Sequence, residues 1–192
     1  GYKYLSGGPG APSFIFVAKR WHDALEQPLS GWWGHATPFE FTDDYSPARG
    51  IGQMFCGTQG VLGLSALEVA IDVFLTTDML LIREKSSKMT DLFLRLIAQQ
   101  CSSYNFEIKS PQKAAERGSH IALGHPNGYQ IIQALSAHSV KGDFRAPDTL
   151  RFGLTPLTLK YVDIWDAVSR LKDIMEKETW KDPKYNLASK VT

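Results

Sequence analysis

From Leu62 to Gln100 apolar side chains return every three or four residues, a rhythm almost absent from residues 19–60. Leu64, Leu67, Ala70, Ile71, Phe74 and Leu75 fall on one helical stripe, and the pattern resumes from Met79 to Gln100. This spacing predicts two helices, or one long bent one, with the second leading into a separate, smaller domain. The stretch before them is punctuated instead by Gly31-Trp32-Trp33-Gly34-His35 and Ser46-Pro47-Ala48-Arg49-Gly50. Irregular segments of that length are uncommon in compact domains unless they serve a function. Within it one short strand is expected at Pro38–Thr42, and before it the apolar, β-branched and aromatic run Pro12–Ala18 reads as a buried strand. The expected organisation is residues 1–75 as the end of a larger domain and residues 76–192 as a linking helix plus a small domain.

After Cys101 the rhythm alternates. Short strands are predicted at Phe106–Lys109, His120–Leu123 and Thr149–Phe152, and helices at Tyr129–Val140 and Val162–Glu178. The second helix is expected to turn Val162, Ile164, Trp165, Val168, Leu171 and Ile174 inward, and the polar tail after Trp180 to fray. Strands interleaved with helices give an α/β class, ending in a smaller α+β domain of βαββα order. With 43% hydrophobic and 21% charged residues, the 192-residue chain has a globular composition. Its 21 basic and 20 acidic side chains leave a net charge of +1 and no basic face, which argues against a nucleic-acid partner. No apolar run reaches the roughly 18 residues a membrane-spanning helix requires. Cys56 and Cys101 lack metal-ligand spacing, so no metal site is expected, and both read as buried thiols of a reducing, cytoplasmic compartment.

Four residues or segments invite a chemical reading, each beside a plainer one. Gly1-Tyr2-Lys3-Tyr4-Leu5-Ser6-Gly7-Gly8-Pro9-Gly10 describes a tight loop that begins in the middle of structure, as in a piece of a longer protein. Lys3, between two aromatic rings, is expected to be desolvated, which favours a neutral amine able to condense with an aldehyde. It could equally be a loop lysine lying over a tyrosine ring. Trp32 is either a ligand-facing indole or an anchor for its loop. Gly57-Thr58 is either an anion-binding turn or a capping turn before the helix at Leu62. Arg151, flanked by Leu150 and Phe152 in a strand, must find an anion: a structural carboxylate, or a ligand carboxylate held by its planar fork.

Taken in order, Gly1–Gly10, Gly31-Trp32-Trp33-Gly34-His35, Arg49-Gly50 with Gly57-Thr58, and Leu150-Arg151-Phe152-Gly153-Leu154-Thr155-Pro156-Leu157 resemble the kynureninases, the bacterial form best. The resemblance implies the C-terminal half of a fold-type-I, pyridoxal-phosphate-dependent transferase fold, beginning just before the cofactor lysine. It implies Lys3 as that lysine and as general base at the substrate Cα. Tyr2, Trp32 and Thr58 become phosphate ligands, Tyr2 with a part in proton transfer, and Arg151 clamps the substrate α-carboxylate. It further implies hydrolysis of L-kynurenine, and of 3-hydroxykynurenine, to anthranilate or 3-hydroxyanthranilate and L-alanine, as in tryptophan catabolism and NAD biosynthesis. The enzyme would be a homodimer with active sites at the subunit interface, Trp32 and Thr58 reaching the neighbouring subunit's cofactor. The aspartate for the pyridine nitrogen, the stacking aromatic ring and further phosphate ligands would lie in an N-terminal half, without which this chain should not be competent.

Two other readings stand beside this one. A class V aminotransferase or a cysteine desulfurase would share the fold, although neither Cys56 nor Cys101 stands where a mobile nucleophile is expected. A non-catalytic dimerisation module would leave Lys3 incidental. Arg49 takes no role, and Trp33, His35, His120 and His125 read as structural.

Overall fold

The computed structural model describes residues 1–186, and two compact units divide the chain at Thr76/Thr77. The first holds one long helix, α1 (Val61–Leu75), preceded by an irregular chain with three 3-10 turns at Lys19–Trp21, Trp32–Gly34 and Gly50–Met54. Neither expected strand forms there. Pro12–Ala18 and Pro38–Thr42 run outside any sheet, and the one bridge in this unit joins His35 to Pro47. A strand is made by a hydrogen-bonding neighbour rather than by composition, and these segments find none among the described residues. Phe14, Ile15 and Phe16 consequently stand 72%, 59% and 87% exposed.

Helix α1 is apolar on nearly every side, yet only Leu67 is buried; Val61, Leu62, Val69, Val73 and Leu75 face outward. A helix of that composition is ordinarily a core helix. Within this unit it serves as the platform for the N-terminal loop. Gly63 comes so close to the loop that an added Cβ would lie 2.2 Å from the Gly10 carbonyl oxygen. Leu67 fills the space beside Gly7, and the Tyr4 ring lies 6.0 Å from that of Phe74.

The second unit carries the other helices and a sheet. Helix α2 (Met79–Gln100) starts at Asp78, whose side chain accepts from the Leu80 N–H at 2.7 Å. The expected pair of helices is thus two, broken between Leu75 and Met79. Then follow β1 (Glu107–Ile108), β2 (His120–Gly124), α3 (Gly128–Ala137), β3 (Asp143–Arg145), β4 (Thr149–Gly153) and α4 (Tyr161–Glu176). The four strands pair antiparallel in the order β1-β2-β4-β3. Period-two alternation sends Ile121 and Leu123 of β2 and Leu150 and Phe152 of β4 to one face. There they form a single core with Met89, Phe93 and Ile97 of α2, Ile131 and Leu135 of α3, and Val168, Leu171 and Ile174 of α4.

Three expectations change here. Strand β3 was not legible, because three residues with Phe144 as their sole apolar member carry no periodic signal. Val162 and Trp165 of α4 are 56% and 52% exposed, since the inward stripe runs through Ile164, Val168, Leu171 and Ile174. The tail does not fray at once: a 3-10 turn at Pro183–Tyr185 buries the Tyr185 ring, and the remaining tail lies outside the described residues. No helix among the described residues is long and apolar enough to cross a membrane.

Two cations fasten the loops of this unit. The Arg117 guanidinium, 1% exposed, pairs with Asp91 and donates to Thr90 Oγ1 and to the Pro111 and Gln112 carbonyls. Lys85 Nζ donates to the carbonyls of Pro156 and Leu159 at 2.5 and 2.8 Å, tying the chain after β4 to α2. The Arg117 charge is buried and its Nε has no partner among the described residues, so Asp91 and the oxygens that its other nitrogens reach are what offset its desolvation.

Candidate active-site residues

Lys3 lies at the head of a wound loop. Its carbonyl accepts from the Ser6 N–H at 2.9 Å, and the Gly1 carbonyl accepts from Gly7 at 3.1 Å. Gly8 and Gly10 take φ of +74° and +91°, left-handed values that a side chain would strain. The loop is therefore fixed by its own backbone and by α1, while the Lys3 side chain is exposed, its Nζ 5.5 Å from the centre of the Tyr2 ring. The expected desolvation is not met: this unit gives the ammonium one aromatic face and no apolar pocket. Tyr2 is likewise half exposed.

The turn that carries Trp32 packs against the segment that leads into Thr58. A Cβ added to Gly31 would lie 1.7 Å from the Cys56 carbonyl oxygen, and one on Gly34 would lie 2.3 Å from that of Phe55. Glycine at both positions lets the Trp32 turn press against the 53–57 segment. The indole Nε1 then comes within 4.0 Å of where a Gly57 side chain would begin, beside Thr58. The ring stacks edge-on with Trp33 and Phe39, at 4.5 and 5.9 Å, so it is a packing group as well as a free N–H. It also walls a cavity of about 300 Å³ with His35, Thr37, Phe41 and Tyr45. Thr58 is exposed, and next to it the Gln59 Nε2 is buried without an acceptor among the described residues. His35 braces its loop, accepting from the Thr37 N–H at Nδ1, 2.9 Å. Arg49 is exposed.

Cys56, expected to be buried, is exposed, its thiol donating to the Leu29 carbonyl; Cys101 is buried at the end of α2. Burial pushes the Cys101 thiol up to about 11. In the second unit His125 is buried between the Phe106 and Trp180 rings, and burial lowers its pKa.

Arg151 sits at the middle of β4, opposite Ala122 on one side and Asp143 on the other. Since Leu150, Phe152 and Leu154 point into the core, Arg151 projects from the other face of the sheet. Both earlier readings of this residue find something here. Its Nη2 donates to Asp143 Oδ2, a structural carboxylate, yet Nη1 has no partner among the described residues and Nε is buried without one. Asp143 escaped notice in the sequence, because a lone aspartate eight residues upstream carries no spacing signal.

Residues 82–171 match the family model of the kynureninase C-terminal domain. Across 191 residues the chain is 46% identical to the kynureninase of Burkholderia pseudomallei (strain K96243) and 42% identical to that of Pseudomonas fluorescens. The chain is similar to the kynureninases. All of it aligns, but it spans 46% of the length of either relative, about half. Two solved structures are similar in fold. The cystine C-S lyase C-DES, solved with its product cysteine persulfide, superposes with a TM-score of 0.66 at 16% identity, covering 82% of this chain and 41% of that one. The apo cysteine desulfurase of Thermococcus onnurineus gives 0.65 at 14% identity, covering 85% and 42%.

Proposed function

We propose that this chain belongs to the kynureninase family and is the C-terminal part of a pyridoxal-phosphate-dependent hydrolase. It acts on L-kynurenine, and on 3-hydroxykynurenine, releasing anthranilate or 3-hydroxyanthranilate and L-alanine. The observation that carries this is the identity of 42–46% to kynureninases over the whole chain, against 14–16% to the desulfurase and lyase, which speak for the fold alone.

The donor set fits the cofactor. A phosphate dianion accepts hydrogen bonds and donates none, and Trp32 Nε1, Thr58 with its backbone N–H, and Tyr2 all offer donors. The buried, unpaired Nε2 of Gln59 beside Thr58 is a further donor in want of an acceptor. Lys3, on a rigid loop with its amine outward, is the primary amine an aldehyde requires. When bound, pyridoxal phosphate supplies the electron sink that lets Cα of an amino acid lose its proton. Lys3 moves that proton, Tyr2 holds a phosphate oxygen and assists the transfer, and Arg151 fixes the α-carboxylate so that Cα is presented in one orientation. Water adds to the aryl ketone carbon, and the bond from that carbon to Cβ breaks to give the aromatic carboxylate and alanine.

In this account residues 1–75 complete a larger cofactor-binding domain and residues 76–192 form the linking helix and small domain. The enzyme works in the cytoplasm as a homodimer, with Trp32 and Thr58 directed at the partner's cofactor. The exposed apolar side chains of Phe14–Phe16 and α1 are then covered by the part of the enzyme that this chain does not span, or by the second subunit. The test is release of anthranilate, read by its fluorescence, when the full-length, cofactor-loaded enzyme meets L-kynurenine. Turnover of cysteine or of an amino-group acceptor without anthranilate release would assign the chain to another branch of the same fold.

A further inference from the structure

Asp143 and Arg151 occupy directly opposed positions on neighbouring antiparallel strands, and Arg145, two residues along β3, shares their face. The Asp143 carboxylate is divided between the two guanidiniums, with Oδ2 on Arg151 Nη2 and Oδ1 3.3 Å from Arg145 Nη1. Two cations against one anion leave the cluster with one positive charge, and Arg151 Nη1 has no partner among the described residues. The Arg151–Asp143 pair is one-third to one-half exposed. Ion pairs that wet contribute little to folding, so stability does not explain the arrangement.

We propose that Asp143 is a positioning residue for the substrate α-carboxylate, pinning the Arg151 guanidinium through Nη2 so that its Nη1 edge is presented already aligned. This rests on Arg151 being the carboxylate clamp. A long arginine side chain has many rotamers, and fixing one before the ligand arrives spares binding that ordering cost. Sharing the carboxylate with Arg145 keeps it from neutralising the clamp.

The probes are L-kynurenine and kynuramine, its analogue without the carboxylate, each titrated into full-length, cofactor-loaded enzyme and followed by cofactor absorbance. Asp143→Ala weakens kynurenine on the order of tenfold, within the range of coupled neighbours, and leaves kynuramine within about twofold. Asp143→Asn falls between parent and alanine, because its amide oxygen still accepts from Nη2. Added to Arg151→Lys, Asp143→Ala has no further effect on kynurenine. An equal loss on both probes, a tighter grip on kynurenine, or additive losses in the double variant overturn the proposal. If Asp143→Ala does not fold, Asp143→Asn decides by the same discrimination. Should Arg151→Lys treat the two probes alike, the clamp itself is wrong and Asp143 falls with it. If Arg151→Lys discriminates while the Asp143 variants do not, the role of Asp143 alone is refuted.

Discussion

Trp32 and Gly57 lie against each other, the indole Nε1 4.0 Å from the point where a Gly57 side chain would begin, although twenty-five positions separate them in the chain. The indole N–H is thus brought against the residue that precedes Thr58 in the chain. Hydrogen bonds to charged groups contribute about 1.5–3 kcal/mol each. Trp32→Phe and Thr58→Ala are each expected to weaken pyridoxal phosphate retention by about tenfold to a hundredfold, the range that energy corresponds to. Equilibrium dialysis of the full-length enzyme checks this; cofactor held as tightly as by the parent would make both residues packing groups.

Gly31 is where that contact is most easily broken. An alanine there would place its Cβ 1.7 Å from a backbone oxygen of Cys56, and backbone cannot swing aside as a side chain can. Gly31→Ala is expected to lower stability by at least about 2 kcal/mol, in the range of overpacking changes, and to weaken cofactor retention with it. Thermal unfolding with and without added cofactor measures both. A parent-like melting temperature would mean that the 31–35 turn does not pack on the 53–57 segment.

Arg151→Lys keeps the charge and loses the fork. The expected outcome is an unchanged cofactor spectrum and a fall in kcat/KM for kynurenine of about a hundredfold or more, near 3 kcal/mol of transition-state stabilisation. Steady-state kinetics beside the spectrum separates substrate binding from cofactor binding. A variant that loses the cofactor spectrum as well would make Arg151 a fold residue.

Cys101 gives a pH dependence of known sign. Its folded pKa, about 11, lies above the 9.0 of a free thiol, so above pH 9 the unfolded chain loses a proton that the folded chain keeps. Stability from this thiol is intact below pH 9 and declines towards pH 11, with a slope approaching about 1.4 kcal/mol per pH unit for one proton. Comparing denaturant unfolding of the parent and Cys101→Ala between pH 8 and 11 isolates that slope. Parallel curves would show that the thiol titrates normally.

The second unit was the more legible in sequence, for a physical reason. Ile121, Leu123, Leu150 and Phe152 alternate because one face of their sheet is buried by α2, α3 and α4 of the same unit, so their pattern and burial agree. Pro12–Ala18 carries an equally apolar pattern without a pairing strand among the described residues, and it stays irregular. Pattern reports what a segment needs to bury, not whether the cover is in the same unit. The site divides likewise. Lys3, Trp32, Thr58 and Arg151 were accessible through motif order, whereas Asp143 becomes visible only when strand register sets it opposite Arg151.

Lys3→Arg in the full-length enzyme should abolish both turnover and the visible absorbance of bound cofactor while the protein stays folded, because a guanidinium remains protonated and does not condense with an aldehyde. Parent-like turnover would remove Lys3 from the chemistry.

The most direct measurement is borohydride reduction of the cofactor-loaded, full-length enzyme, followed by proteolysis and mass mapping of the peptides. A lysine that carries the cofactor is converted to a stable secondary amine by this treatment. The expected result is one pyridoxyl phosphate group per chain, on Lys3, in the peptide containing Tyr2 and Tyr4. A label on any other lysine, or none on a protein that retains its cofactor, would contradict the account.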